Sequence, residues 1–120
     1  MANQNAKGFK RIYNAIFFSA AGFKATWQHE EAFRQEMVLL IIASPAAIFL
    51  AKTPVEMLLL IGSVVLVLLV ELLNSAIEAS VDRIGFEHHE LSGRAKDIGS
   101  AAVMLSLAWA AITWFVILIF

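Results

Sequence analysis

The sequence predicts an all-α membrane protein: an amphipathic N-terminal helix lying in the membrane interface, followed by a bundle of three transmembrane helices. Three observations predict it. Of the 120 residues, 60% are hydrophobic and only 16% charged, against about half and about a quarter in an ordinary soluble domain. No charged residue occurs in 37–51, 57–70 or 98–120, runs of 15, 14 and 23 residues. Eight of the nine basic residues gather at one end of those runs. A soluble chain this short buries only about two-thirds of its surface on folding, so it has nowhere to hide so much apolar area. The same composition excludes disorder.

The elements follow in order along a single membrane domain, 1–120. Phe9, Tyr13, Ile16, Ala20, Phe23 and Trp27 recur at alternating steps of four and three, which aligns them on one face of a helix spanning about 7–29. Lys10, Asn14, Lys24 and Gln28 fall off that face, so the helix reads as lying in the interface with its aromatic stripe in the acyl boundary. A cleaved signal peptide, with Lys7 to Arg11 ahead of 12–21, is disfavoured because Asn14 interrupts its short apolar region and the pattern runs on beyond any small-residue cleavage site. The first span covers about 31–51, with Pro45 inside it as a candidate kink. Lys52, Thr53 and Pro54 suit a tight turn, the second span covers about 55–82 with a cytoplasmic extension, and the third covers about 93–119. A span needs about 20 residues, so the first two charge-free runs borrow neighbours from their flanks.

Lys7, Lys10, Arg11, Lys24, Arg34, Arg83, Arg94 and Lys96 lie on one side of the membrane and Lys52 alone on the other. The positive-inside rule places the rich side in the cytoplasm, together with the N-terminus and the 82–96 connection, and leaves Phe120 outside. A net charge of −1 gives no reason to expect a nucleic-acid partner. The absence of cysteine removes disulfides, thiolate metal sites and cysteine nucleophiles.

Chemistry concentrates where the second span ends. Glu71, Asn74, Glu78 and Asp82 are spaced 3, 4 and 4, which stacks them on one helical face. Counted from Val55, Glu71 lies about 24 Å along the axis, just inside the cytoplasmic edge of a hydrocarbon core about 30 Å thick. An ionisable group there costs on the order of 2–3 kcal/mol unless paired or wetted, which marks it as functional rather than merely snorkelling. Glu78 is about 10 Å higher, in the headgroup layer. Lys96 and Asp97 open the third span at the same surface; Lys96 suits a phosphate as a point charge, and Asp97 a lysine or a metal. Glu30, Glu31 and Glu36 fall where the interfacial helix meets the first span, at the depth of Glu78. Oxygen ligands from the three segments would hold a divalent cation, with a nucleotide's phosphates completing its shell. His29, His88 and His89 are expected to be solvated rather than zinc ligands. Ala95 with Gly99, and Ala102, Ser106 and Ala110, repeat at four-residue spacing as ridges for close helix packing. A lone protomer would leave its polar face against lipid tails, so self-association is expected. Walker, G-x-G-x-x-G and protein-kinase patterns are missing.

The run ELLNSAIEASVDRIG from Glu71 to Gly85, HELSGRAKDIGS from His89 to Ser100, and EAFRQE from Glu31 to Glu36 resemble the prokaryotic diacylglycerol kinase family, and the likeness extends over about 8–114. The Asp82-Arg83-Ile-Gly and His-Glu-Leu-Ser-Gly-Arg runs look more like the Gram-negative lipid enzymes than the Gram-positive undecaprenol kinases. The resemblance implies a homotrimer in the inner membrane that transfers the γ-phosphate of ATP, with Mg²⁺, to the free hydroxyl of diacylglycerol. It implies Glu71 as general base and Glu30 and Glu78 as holders of metal and phosphates. Asn74, Lys96, Asp97, Glu87, His89 and Ser19 would line the nucleotide side, and Arg11 and Ser100 the lipid side. His29 departs from the asparagine of the family pattern. Two rivals stand beside this reading: an undecaprenol kinase, and a small channel or transporter subunit in which Glu71 and Glu78 line a wet pathway.

Overall fold

The computed structural model describes residues 7–120 and is helical throughout, with four helices among the described residues: α1 (Gly8–His29), α2 (Glu31–Leu50), α3 (Pro54–Ile84) and α4 (Glu90–Ile119). The last three are each long and apolar enough to cross a membrane. The chain divides into two compact units, Met1–Glu31 and Ala32–Phe120.

In the first unit α1 runs unbroken for 22 residues and buries none of them. Phe9, Tyr13, Ile16, Phe23 and Trp27 are exposed, and so are Ile12, Phe17 and Phe18, so its apolar surface extends around the helix beyond the single stripe. Tyr13 and Phe17, one turn apart, meet edge to face with ring centres 4.9 Å apart. The helix ends where Glu30 turns to extended backbone, its N–H still donating to Thr26 O at 2.9 Å.

In the second unit α2 buries Phe33, Glu36, Ala43 and Ala47, spacings of three, seven and four that define one face. The helix continues through Pro45, whose missing N–H leaves the Ile41 carbonyl without its helical donor. Beside it, the Ser44 hydroxyl donates to Leu40 O at 2.8 Å. Residues 51–53 make the turn, and Thr53 caps α3: its hydroxyl accepts from Glu56 N–H at 3.1 Å, while the Glu56 carboxylate accepts from Lys52 N–H at 3.1 Å. With Pro54 at the first helical position, where its lack of an N–H costs nothing, these bonds satisfy donors that a helix start otherwise leaves open.

α3 is 31 residues long, about 46 Å, longer than a hydrocarbon core about 30 Å thick. Its buried stripe is Leu60, Ser63, Val64, Val67, Leu68 and Glu71. α4 returns antiparallel and packs closely along α3, with the small residues Gly99, Ser106 and Ala110 buried; Ala102 of the expected ridge is exposed. Two bonds pin the pair at its ends. Trp114 donates its indole N–H to Leu60 O at 3.1 Å, a carbonyl that also accepts from the Ser63 hydroxyl at 2.8 Å. At the other end Lys96 donates to Asp82 Oδ1 at 2.8 Å.

Thr53→Ala removes the cap and is expected to lower stability by about 1 kcal/mol, read as a lower thermal midpoint in detergent. Thr53→Ser should restore it, since the hydroxyl does the capping.

Candidate functional site

The polar residues of α3 gather toward the end that residues 85–89 join to α4, and they form a ladder graded in burial. Asp82 and Lys96 make its outermost rung, an ion pair whose side chains are 37% and 44% exposed. Solvent screens such an exposed pair, so its effect is to place the ammonium group rather than to hold the fold. Lys96 also feels the Glu78 charge, which sets the ammonium between two carboxylates one helical turn apart.

One turn deeper, Glu78 is half-buried and its Oε1 accepts from Asn74 Nδ2 at 3.4 Å, a long bond. Asn74 occupies that position because α4 presents Gly99 opposite it. A Cβ on Gly99 would overlap Asn74 Oδ1, so only a residue without a side chain lets the amide lie against the α4 backbone. Asn74 Oδ1 is buried without a hydrogen-bond partner among the described residues, as is Ser75 Oγ on the next position. An unpartnered buried polar atom costs about 1–3 kcal/mol, so the two together make this the costliest polar stretch of α3.

Glu71 is the deepest rung of α3 at 5% exposure. Glu36 of α2 joins it: that carboxyl is 8% exposed, its Oε2 is buried with no partner among the described residues, and it interacts electrostatically with Glu71. This corrects the sequence expectation that Glu36 shares the level of Glu78. Position 36 falls on the inner face of α2, with Phe33, Ala43 and Ala47, and that face carries it toward Glu71. Glu31, by contrast, is exposed.

The remaining candidates are distributed as follows. Asp97 and Ser100 are exposed on α4. Glu87 is exposed in the connection, with its carboxylate folded over Gly85. His89 caps α4, its Nδ1 accepting from Leu91 N–H at 3.1 Å, which leaves Nε2 as the ring nitrogen available to a ligand. Arg11, Ser19 and Glu30 belong to the other unit: the first two are exposed on α1, and Glu30 is its half-buried C-terminal cap. Among the described residues no three His, Asp or Glu side chains come together as a ready-made cation site. The oxygens of Glu78 and Asn74 are nonetheless hard donors of the kind that suit magnesium rather than zinc. Sequence reasoning missed Glu36 and Ser75 as members of the buried cluster and treated Asp82 only as part of the polar face. The signal for Glu36 was a single acid on the apolar face of a span.

A family model described as prokaryotic diacylglycerol kinase matches residues 17–118. The curated relatives include the Diacylglycerol kinase of Escherichia coli strain K12, 54% identical over 118 residues and covering 98% of this chain and 96% of its own. That of Haemophilus influenzae is 49% identical, covering 94% and 96%, and that of Pseudomonas aeruginosa is 48% identical, covering 93% and 91%.

Gly99→Ala should cost about 1–3 kcal/mol by overpacking and push Asn74 off α4. In the double variant with Asn74→Ala the penalty of the added methyl should largely vanish, which a double-mutant cycle of unfolding in detergent measures.

Proposed function

Because the chain belongs to the prokaryotic diacylglycerol kinase family, we propose that it transfers the γ-phosphate of ATP to the free hydroxyl of a diacylglycerol, making phosphatidic acid, with Glu71 as general base. The observation that carries this reading is the depth of Glu71: a buried carboxyl about 24 Å from the opposite turn, where a diacylglycerol with its tails in the core exposes its hydroxyl. The lipid then need not leave the bilayer. The named relatives favour diacylglycerol over a polyprenyl alcohol, and a kinase family accounts for the aligned acids better than an ion pathway does.

In the chemical step the hydroxyl O–H bond breaks and its proton passes to a Glu71 carboxylate oxygen. The oxygen's electron pair forms the new bond to the γ-phosphorus, and the bond from that phosphorus to the β-bridging oxygen breaks, its pair leaving with ADP. Little covalent work falls to the protein; positioning and charge neutralisation carry the rate. Lys96, tethered by Asp82 above Glu78, supplies positive charge beside the transferring group. Asn74 orients Glu78 through its amide. Glu78 and Glu30 would hold magnesium, which when bound neutralises phosphate charge. Asp97, Glu87, His89 and Ser19 would line the nucleotide, with His89 offering Nε2, and Arg11 and Ser100 would face the lipid headgroup region.

The enzyme is proposed to act at the cytoplasmic face of the bacterial inner membrane, with the N-terminus inside and Phe120 outside, as the basic residues at one end of the spans support. α1 would lie in the interface, where its exposed aromatic residues find the acyl boundary. A homotrimer would cover the polar residues that a single three-span chain leaves toward lipid.

With γ-labelled ATP and diacylglycerol in mixed micelles, label should appear in phosphatidic acid, and a chelator should abolish it. Glu71→Gln should lower turnover by about 10²–10⁴-fold with the helical content unchanged. Near-normal turnover in that variant would defeat the base assignment.

A further inference from the structure

Glu36 takes no part in the chemistry assigned to Glu71, Asn74 and Glu78, yet it is nearly as buried as Glu71 and keeps one carboxyl oxygen enclosed without a hydrogen-bond donor among the described residues. α2 and α3 run antiparallel from the turn at 51–53, so depths on both can be counted from there. Glu36 stands 14 residues before Leu50, about 21 Å away, and Glu71 stands 16 residues after Val55, about 24 Å away. Helical side chains tilt toward the N-terminus of their own helix. On antiparallel helices that tilt raises Glu36, the lower of the two, and lowers Glu71, so the carboxyls converge. Their charges act on each other. Phe33 on α2 and Leu68 on α3, both buried, wall the neighbourhood with hydrocarbon.

We propose that Glu36 and Glu71 form a single carboxyl pair joining α2 to α3, in which Glu36 is a positioning residue that holds the base by a hydrogen bond through a shared proton. Carboxyl groups brought close together out of water pair through a shared proton rather than stand side by side as two charges. Within such a pair Glu36 is the donor that aims the accepting oxygen of Glu71 as the lipid hydroxyl approaches. The proton taken from the lipid goes to Glu71 and leaves afterwards to water, and the shared proton stays within the pair throughout. Glu36 touches neither phosphate nor metal in this arrangement, so its loss slows the chemical step without weakening nucleotide binding. The buried unpartnered oxygen is accounted for in the same way, as one end of a hydrogen bond whose proton completes it. A carboxyl placed only to hold a cation would act at the level of Glu78 and answer to metal concentration instead.

The inference rests on Glu71 being the base, and the test separates the two. Glu36→Ala should lower kcat by about ten- to hundredfold while KM for MgATP stays within about twofold. Glu36→Gln, whose amide still donates a hydrogen bond, should recover at least half of that loss on a logarithmic scale. Glu36→Leu fills the volume with no donor, and should match Ala in kcat if the effect is positional and not a cavity. Equal kcat in Ala, Leu and Gln, or a loss that appears as a raised KM for MgATP or a raised magnesium requirement, would overturn the pairing. Glu71→Gln assayed alongside reports on the base assignment itself: if it kept full turnover, that assignment would fall whatever the Glu36 series showed.

Discussion

Holding a carboxyl group out of water at the edge of a hydrocarbon layer costs on the order of 2–3 kcal/mol or more, and the arrangement of α3 and its neighbours answers that constraint. Glu71 is buried between a stripe of aliphatic side chains below it and polar side chains above. α3 must be long enough to carry Glu71, Asn74, Glu78 and Asp82 on one face, and at 31 residues it is longer than a hydrocarbon core is thick. α4 must come close on that face without filling it. Gly99 meets both demands, since its missing side chain is what leaves room for the Asn74 amide.

Polar anchors at the two ends of the α3–α4 pair set the register between them. The Trp114 to Leu60 bond and the Lys96 to Asp82 bond are separated by about six helical turns on α3 and about five on α4, so a slip of one turn would break both. In a membrane, where lipid tails are as apolar as the side chains and hydrophobic burial cannot choose among registers, close packing of small residues and a few hydrogen bonds make that choice. The same register places Lys96 within reach of the Glu78 charge and Gly99 against Asn74.

Much of this was legible in the residues. Three spans follow from charge-free runs, because lipid excludes charge whatever the packing. The shared polar face of α3 follows from spacing alone, because a helix converts offsets of three and four into alignment. Family resemblance is carried by contiguous polar runs around Glu71, Glu78 and Lys96, which are local in the chain and need no tertiary contact to be recognised. The apolar stripe of α1 was less decisive: Ile12, Phe17 and Phe18 share its exposure, and periodicity over six positions does not report the residues between them.

Which membrane segments exist, and which acids of α3 share a face, are consequences of composition and helical period, both local properties of the chain. Pairings across helices are not local. That the buried Glu36 feels the charge of Glu71, that Lys96 is held by Asp82, and that Asn74 depends on Gly99 all hang on the rotation and offset of one helix against another. No run of residues encodes those quantities, because they are settled by how side chains from distant parts of the chain fill the space between two backbones.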